Sequence, residues 1–306
     1  MGRRFVVITG PTASGKTQVS VEVAKALGSC VISADSMQIY KGMDIGTAKV
    51  TPKEMRGVPH HMIDIVVPDQ SYSAAEYQKT AFELIERENN AGRTPVIAGG
   101  TGLYIHSLVY DIDFTNTPRN DMVRQKYLQQ ADDKSIMHLY NNLRQKDPAY
   151  ARIIEPTDLR RIVRRLEIIE NGGAGEYEFR RMNTRDDMLI IGIAVPREAL
   201  YSRINARVDE MLSNGLVEEA QRIYNQFGMS NALKAIGYKE LVAHFEGDIS
   251  FEAAEELIKR NTRRYAKRQM TWFKRDERIN WVDFDTSRRI EDTINDIIKI
   301  IKEKGF

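Results

Sequence analysis

Apolar β-branched runs, set apart by stretches with helical spacing, organise this chain. Phe5 to Thr9 is one continuous run that predicts a buried strand, and Val19, Val23, Ala24 and Leu27 behind it recur at the spacing of a helix face. Cys30 to Ser33 predicts a second strand. Ala74 to Asn90 carries Ala74, Ala75, Tyr77, Ala81, Phe82, Leu84 and Ile85 at helical spacing until Ala91-Gly92 stops it, and Pro95 to Ala98 follows as a short buried strand. Strands alternating with helices predict a mostly parallel sheet. Met188 to Val195 is a strongly apolar strand that rejoins it, and Asn280 to Phe284 adds a short one before a terminal helix. Between those two strands, helices are expected over Glu198 to Asn214, Val217 to Phe227, Tyr238 to Phe245 and Phe251 to Lys274.

From about Asp113 to Asp187 the strand signal fades. Helical patterns run through Val123 to Gln130, Ile136 to Leu143 and Asp158 to Glu170, with breaks at Pro118, Pro148, Pro156 and Gly172-Gly173. The expected organisation is an α/β core over residues 1–112 and 187–306, interrupted by a helical insertion over residues 113–186.

The chemistry collects at strand ends. Gly10-Pro11-Thr12-Ala13-Ser14-Gly15-Lys16-Thr17 sits between the first strand and the first helix, the order of a P-loop. Its backbone N–H groups and the helix N-terminus would cradle a diphosphate or triphosphate, Lys16 adds a cation, and the Thr17 hydroxyl is placed to ligate Mg²⁺. The fold class is therefore P-loop NTPase-like α/β. Asp35 follows the second strand, and Gly99-Gly100-Thr101-Gly102 follows the third, Pro95 to Ala98; ligands of open α/β sheets bind at such carboxyl ends. An Asp-Ser pair equally suits a turn cap. Lys41 to Lys49 is too polar for core and reads as a loop over the site, and Arg203 and Arg207 lie one turn apart, where one could reach phosphates. His60-His61 lack a further ligand at metal spacing and read as packing or turn residues.

Composition narrows the class. In 306 residues no apolar run approaches the length of a membrane span, and Met1 to Phe5 leads straight into a strand, so a cytoplasmic protein without a signal peptide is expected. Cys30 is the only cysteine, which excludes a disulfide framework and a thiolate metal cluster. The 45 basic residues barely exceed the 43 acidic ones, but they are unevenly placed. Arg160, Arg161, Arg164 and Arg165 form a stripe on one predicted helix, and Lys259, Arg260, Arg263, Arg264, Lys267 and Arg268 another, ending in Trp272-Phe273. Such stripes with aromatics suit a nucleic-acid backbone with unstacked bases nearby. The P-loop alone would serve a kinase using ATP, and the basic helices alone a non-catalytic RNA-binding protein. Nothing points beyond a monomer.

Gly10 to Thr17, Asp35 to Tyr40, Gly42 to Lys49, Pro59-His60-His61, Gly99 to Tyr104, Ile236 to Glu240 and Thr262 to Phe273, taken in order, resemble the tRNA dimethylallyltransferase family over nearly the whole chain. The resemblance implies transfer of a dimethylallyl group from dimethylallyl diphosphate to N6 of the adenosine just 3′ of the anticodon, assisted by Mg²⁺. It implies that Lys16 and Arg207 hold the diphosphate together with the loop and Arg203, that Thr17 ligates the metal, that Asp35 is the base for N6, and that Thr101 lies between nucleotide and leaving group. Asp35, Ser36, Met37, Gln38, Thr101, Arg160, Arg161, Arg164, Lys234, Gly237, Tyr238, Lys239, Lys267, Arg268, Gln269, Trp272 and Lys274 would meet the anticodon stem-loop. Two departures add charge, Arg160 where the family usually has Gln and Arg264 likewise. The segment Asn171-Gly172-Gly173-Ala174-Gly175 is shorter than the family's usual threonine-glycine-basic segment.

Overall fold

The computed structural model describes residues 2–110, 112, 114, 120–173, 186–284 and 289–306. Pro118, Ala174, Gly175 and the insertion's expected start at Asp113 lie outside them. Its strands are β1 (Arg4–Thr9), β2 (Val31–Ser33), β3 (His60–His61), β4 (Val96–Gly99), β5 (Asp187–Ala194) and β6 (Asn280–Asp283). Its helices are α1 (Lys16–Ala26), α2 (Pro52–Met55), α3 (Ala74–Asn90), α4 (Gly102–Val109), α5 (Asp121–Lys134), α6 (Ile136–Lys146), α7 (Pro148–Ala151), α8 (Leu159–Glu170), α9 (Arg197–Ser213), α10 (Leu216–Phe227), α11 (Tyr238–Phe245), α12 (Phe251–Phe273) and α13 (Ile290–Glu303).

The strands form one sheet in the order β3-β2-β4-β1-β5-β6, every pairing parallel. Parallel pairing needs crossovers, so all carboxyl ends point to one edge. Thr9, Gly99 and Gly192 share one level in the register, which puts the loops after β1 and β4 side by side. Phe5, Val6, Val7 and Ile8 are fully buried, as a strand covered on both faces requires. Val6, Ile8, Val19, Ile191 and Ile193 pack with Ile294, Ile297 and Ile301 of α13. A second cluster joins Ile39 and Met43 to Leu216, Ile223, Tyr238 and Leu241. Burial of each large side chain contributes about 1.5–3 kcal/mol. Ser73 caps α3 by accepting from Glu76 N while Glu76 reaches back to Ser73 N, which fixes where the helix begins.

The chain divides into two compact units, residues 1–109 with 183–306 and residues 110–182. The second is an all-helical cluster, among the described residues, around Tyr127, Leu139, Leu143, Ile162 and Leu166. Here the four-arginine stripe of α8 is corrected. Arg165 is buried and its guanidinium meets Asp147 Oδ2 at 2.7 and 2.5 Å, so it belongs to the interior. Arg164 pairs with the buried Glu167 at 3.1 Å. Burial alone would raise the Glu167 carboxyl, but the Asn120 N–H, Arg124 and Arg164 hold it below its ordinary value. Arg160 and Arg161 alone of the four remain exposed.

No β-branched run marks β3; its histidines become a strand through pairing with Val31 and Ile32. Cys30 is buried, and burial pushes its thiol up to about 11. Among the described residues no helix is long and apolar enough to cross a membrane.

Candidate active site

The turn after β1 can be made only with glycine. Gly10 has φ +150°, and a Cβ there would lie 2.8 Å from Ile193 O of β5. Gly15, at φ +88°, then opens α1, whose first N–H groups face the loop. Lys16 Nζ donates to Pro11 O at 2.6 Å, folded back over its own loop. Burial chiefly lowers this ammonium to about 7, Arg207 adds to the effect, and Asp35 opposes it. The buried Ser14 hydroxyl has no hydrogen-bond partner among the described residues.

The second glycine turn is pressed against the end of β2. A Cβ on Gly99 would lie 2.2 Å from Ala34 O, so the backbones touch. That contact sets Thr101 beside Ser36: Ser36 N donates to Thr101 Oγ1 at 2.9 Å, and the two hydroxyls are 3.2 Å apart. Asp35 Oδ1 accepts from Met37 N at 2.8 Å, the turn cap that its sequence context allowed. No hydrogen bond engages its other oxygen among the described residues, and Asp35 also faces the site. Gln269 of α12 braces both turns, accepting from Thr12 N at 2.9 Å and donating to Gly100 O at 3.0 Å.

These elements enclose a cavity of about 100 Å³ whose walls include Lys16, Thr17, Asp35, Gly100, Arg207 and Tyr265. A wider opening on the outer side of the loop is lined by Ala13, Ser14, Gly15, Arg203 and Glu210. Lys16, Thr17, Ala48 and Arg207 border both. Arg207 thus reaches the inner cavity, whereas Arg203 stays at the outer opening with its Cζ 4.1 Å over the Phe284 ring. Burial lowers the Arg207 guanidinium from its ordinary value, against the pull of Asp35. Among the described residues no three His, Cys, Asp or Glu side chains converge as metal ligands, so the Thr17 hydroxyl is the candidate protein oxygen for a cation.

The polar loop over the site is not loose. Glu219 of α10, itself buried, accepts from the N–H groups of Asp44, Ile45 and Gly46 at 2.8, 2.9 and 3.0 Å and from Tyr238 Oη at 2.6 Å. A Cβ on Gly46 would lie 2.5 Å from the Tyr238 ring, and Met43, expected outside the core, is fully buried. The clamp holds Thr47 and Ala48, two cavity walls, in place.

At this sheet edge two prenyl-transferring relatives match almost end to end. The tRNA dimethylallyltransferases of Anoxybacillus flavithermus and Carboxydothermus hydrogenoformans are 44% and 46% identical over 99% and 100% of this chain and 98% of theirs. The profile described as IPP transferase matches residues 38–276. The chain belongs to the IPP transferase family. Among solved members of related name, the tRNA isopentenylpyrophosphate transferase of Bacillus halodurans superposes with a TM-score of 0.76 at 40% identity, covering 99% of this chain and 96% of that one. A eukaryotic dimethylallyltransferase acting on tRNA superposes with 0.83 at 28% identity, covering 98% and 80%.

Several residues expected at an IPP transferase's RNA interface are turned inward. Tyr238 is fully buried on Glu219, Gly237 is buried with its N–H on Glu240 Oε2 at 2.8 Å, and Gln269 spends its amide on the two turns. Gln38 is tied to Ser33 Oγ at 3.0 Å and Ser36 to Thr101, and Met37 is partly buried beside Ile39 and Met43. On α12, Lys259 is spent on Asp209 and Glu255 and Arg263 on Asn205, at 2.6, 2.7 and 2.6 Å. The helix ends on a buried Phe273 and on a Trp272 packed over Gly102 and His106, not on exposed aromatics. Arg260, Arg264, Lys267, Arg268 and Lys274 form its exposed cationic face, with Lys234 and Lys239 exposed nearby in sequence. Tyr265 and Glu219 were missed. The spacing of Tyr265 four residues before Gln269 is the signal that places both on the inward face of α12.

Proposed function

We propose that this chain transfers the dimethylallyl group of dimethylallyl diphosphate to N6 of the adenosine just 3′ of the anticodon in tRNA, releasing diphosphate. The observation that carries this reading is the meeting of Lys16, Thr17 and Arg207 with Asp35 in one small cavity. The cations and the loop suit a diphosphate, a carboxylate with one oxygen unengaged suits a nucleophile that must lose a proton, and membership of the IPP transferase family favours prenyl over phosphoryl transfer.

In this reading the P-loop amides, Lys16 and Arg207 bind the diphosphate, and Arg203 guides it at the outer opening. Departure of the diphosphate concentrates negative charge that these cations and N–H groups stabilise more in the transition state than before it. Asp35 takes the proton from N6 as the nitrogen becomes positive. Thr101, fixed by Ser36, stands between base and leaving group. Mg²⁺ fits a site with one hydroxyl ligand, because this ion typically takes much of its coordination from substrate phosphates and water; Thr17 would hold it, and its charge would ease diphosphate departure. A loop adenine must leave its stack to enter so small a cavity, at a cost of a few kcal/mol. Exposed cations on α12, with Arg160 and Arg161 of the helical unit, would offset that cost through phosphate contacts with the anticodon arm. The working form is a cytoplasmic monomer.

Protein and Mg²⁺ are incubated with labelled dimethylallyl diphosphate or γ-labelled ATP, with and without unmodified tRNA. Prenyl label in the tRNA is the expected result. Transfer of the γ-phosphate instead would make the chain a kinase, and RNA binding without transfer a non-catalytic binder.

A further inference from the structure

Tyr265 has a place in the cavity that the activity proposed above leaves unused. It follows Asn261 on the inward side of α12 and precedes Gln269 by one turn, so the brace made by Gln269 also fixes the height at which Tyr265 enters. Its hydroxyl lies beside the side chains of Thr101 and Gln269 and within the field of Asp35. Those neighbouring acceptors are already engaged, Thr101 Oγ1 by Ser36 N and Gln269 Oε1 by Thr12 N. Each of these oxygens keeps a second lone pair, but Tyr265 lines the cavity itself, and rotation about its C–O bond turns its proton toward a base bound there. Burial, aided by the charge on Asp35, pushes the phenol well above its ordinary value, so it stays protonated and keeps its O–H as a donor at neutral pH.

The cavity thus presents an acceptor, the unengaged oxygen of Asp35, together with a donor, the Tyr265 hydroxyl. We propose that this pair reads the flipped base: Asp35 accepts from N6–H while Tyr265 donates to the ring nitrogen next to N6, making Tyr265 a specificity residue for adenine. Adenine offers that donor–acceptor sequence on both edges that carry N6, with N1 on one and N7 on the other. Guanine sets an oxygen against the carboxylate instead, and on the N1 edge sets an N–H against the phenol.

The inference rests on the transfer reading, and the test separates the two. Single-turnover rates are measured for the wild type and Tyr265→Phe on anticodon stem-loops bearing adenosine, 1-deazaadenosine or 7-deazaadenosine at the target position. The substitution should slow transfer to adenosine roughly tenfold to a hundredfold, the size of one lost base contact. One of the deaza substrates should slow the wild type by a similar factor and slow Tyr265→Phe no further, because both changes remove one hydrogen bond. Equal slowing of wild type and variant by both deaza substrates overturns the assignment, and would leave Tyr265 a mere support for Thr101. The deaza arms on the wild type need no folded variant, so indifference of the wild type to both nitrogens overturns it as well. No transfer to the adenosine stem-loop by the wild type would instead refute the transfer reading, and the inference with it.

Discussion

The cradle at the sheet edge and the outer face of α12 are both rich in charge, yet they handle it in opposite ways. In and around the cradle Lys16 is held on Pro11 O, Asp35 on Met37 N, and Glu219 on three amides and a phenol. On α12 the outward Arg260, Arg264, Lys267 and Arg268 share no carboxylate partner among the described residues, whereas the inward Lys259 has two. One arrangement fixes a few atoms by directed hydrogen bonds; the other offers a diffuse field. Changes in the cradle should therefore move rates, and changes on the outer face should move salt dependence.

The sharpest break of that contrast is Asp35→Ala. Loss of a general base lowers the single-turnover rate by roughly 10²–10⁴, and stem-loop affinity should stay near that of the wild type. A variant that is merely less stable but normally active once folded would return Asp35 to its cap on Met37. Next in size is Arg165→Ala in the helical unit, where breaking a buried pair leaves Asp147 uncompensated at a cost of about 3–5 kcal/mol. Chemical denaturation should show that loss, while Arg160→Ala stays close to wild type in stability. The triple change Arg264, Lys267 and Arg268 to Ala should flatten the plot of log binding constant against log salt by about 2–3, given roughly 0.7–0.9 for each phosphate contact. Turnover at saturating RNA should hardly change; an unaltered slope would mean that this face is only solvated.

Smaller still is a pH effect within the cradle. Lys16 sits near 7 when the site holds no anion, and a bound diphosphate favours its charged form. Below pH 7 the ammonium is already present, so binding should be flat with pH from this source. Above pH 7 binding must take up a proton, and affinity should fall by up to tenfold for each pH unit. Calorimetry in buffers of different ionisation heat would read that uptake at pH 8 and its absence at pH 6. The smallest change is Lys259→Ala, which should cost about 0.2–1 kcal/mol of stability and leave the salt slope alone.

Much of this was legible from the sequence. Continuous β-branched runs placed β1, β2, β4 and β5 within a residue or two, because strands covered on both faces must be apolar throughout. The glycines of both turns marked the sheet edge where Asp35 and Lys16 line one cavity and Thr101 meets Ser36. What stayed hidden depends on partners far along the chain. Helical spacing groups Arg164 with Arg165 and Lys259 with Arg260, but only the fold brings up Glu167, Asp147 and Asp209 to claim some and leave others. The loop from Asp44 to Thr47 read as polar cover for the same reason, since the Glu219 that pins it lies 175 positions from Asp44.

Cys30 has a practical use for each of these measurements. A sole thiol, buried just before β2 and pushed up to about 11, is almost wholly un-ionised at neutral pH and therefore slow to react with maleimides. The natural chain is thus a blank background for covalent labelling. A cysteine introduced at Lys267 or Arg160 would be the one position to take up a fluorophore or spin label, with the native residue left untouched. Distances from RNA to either unit could then be followed in solution during turnover.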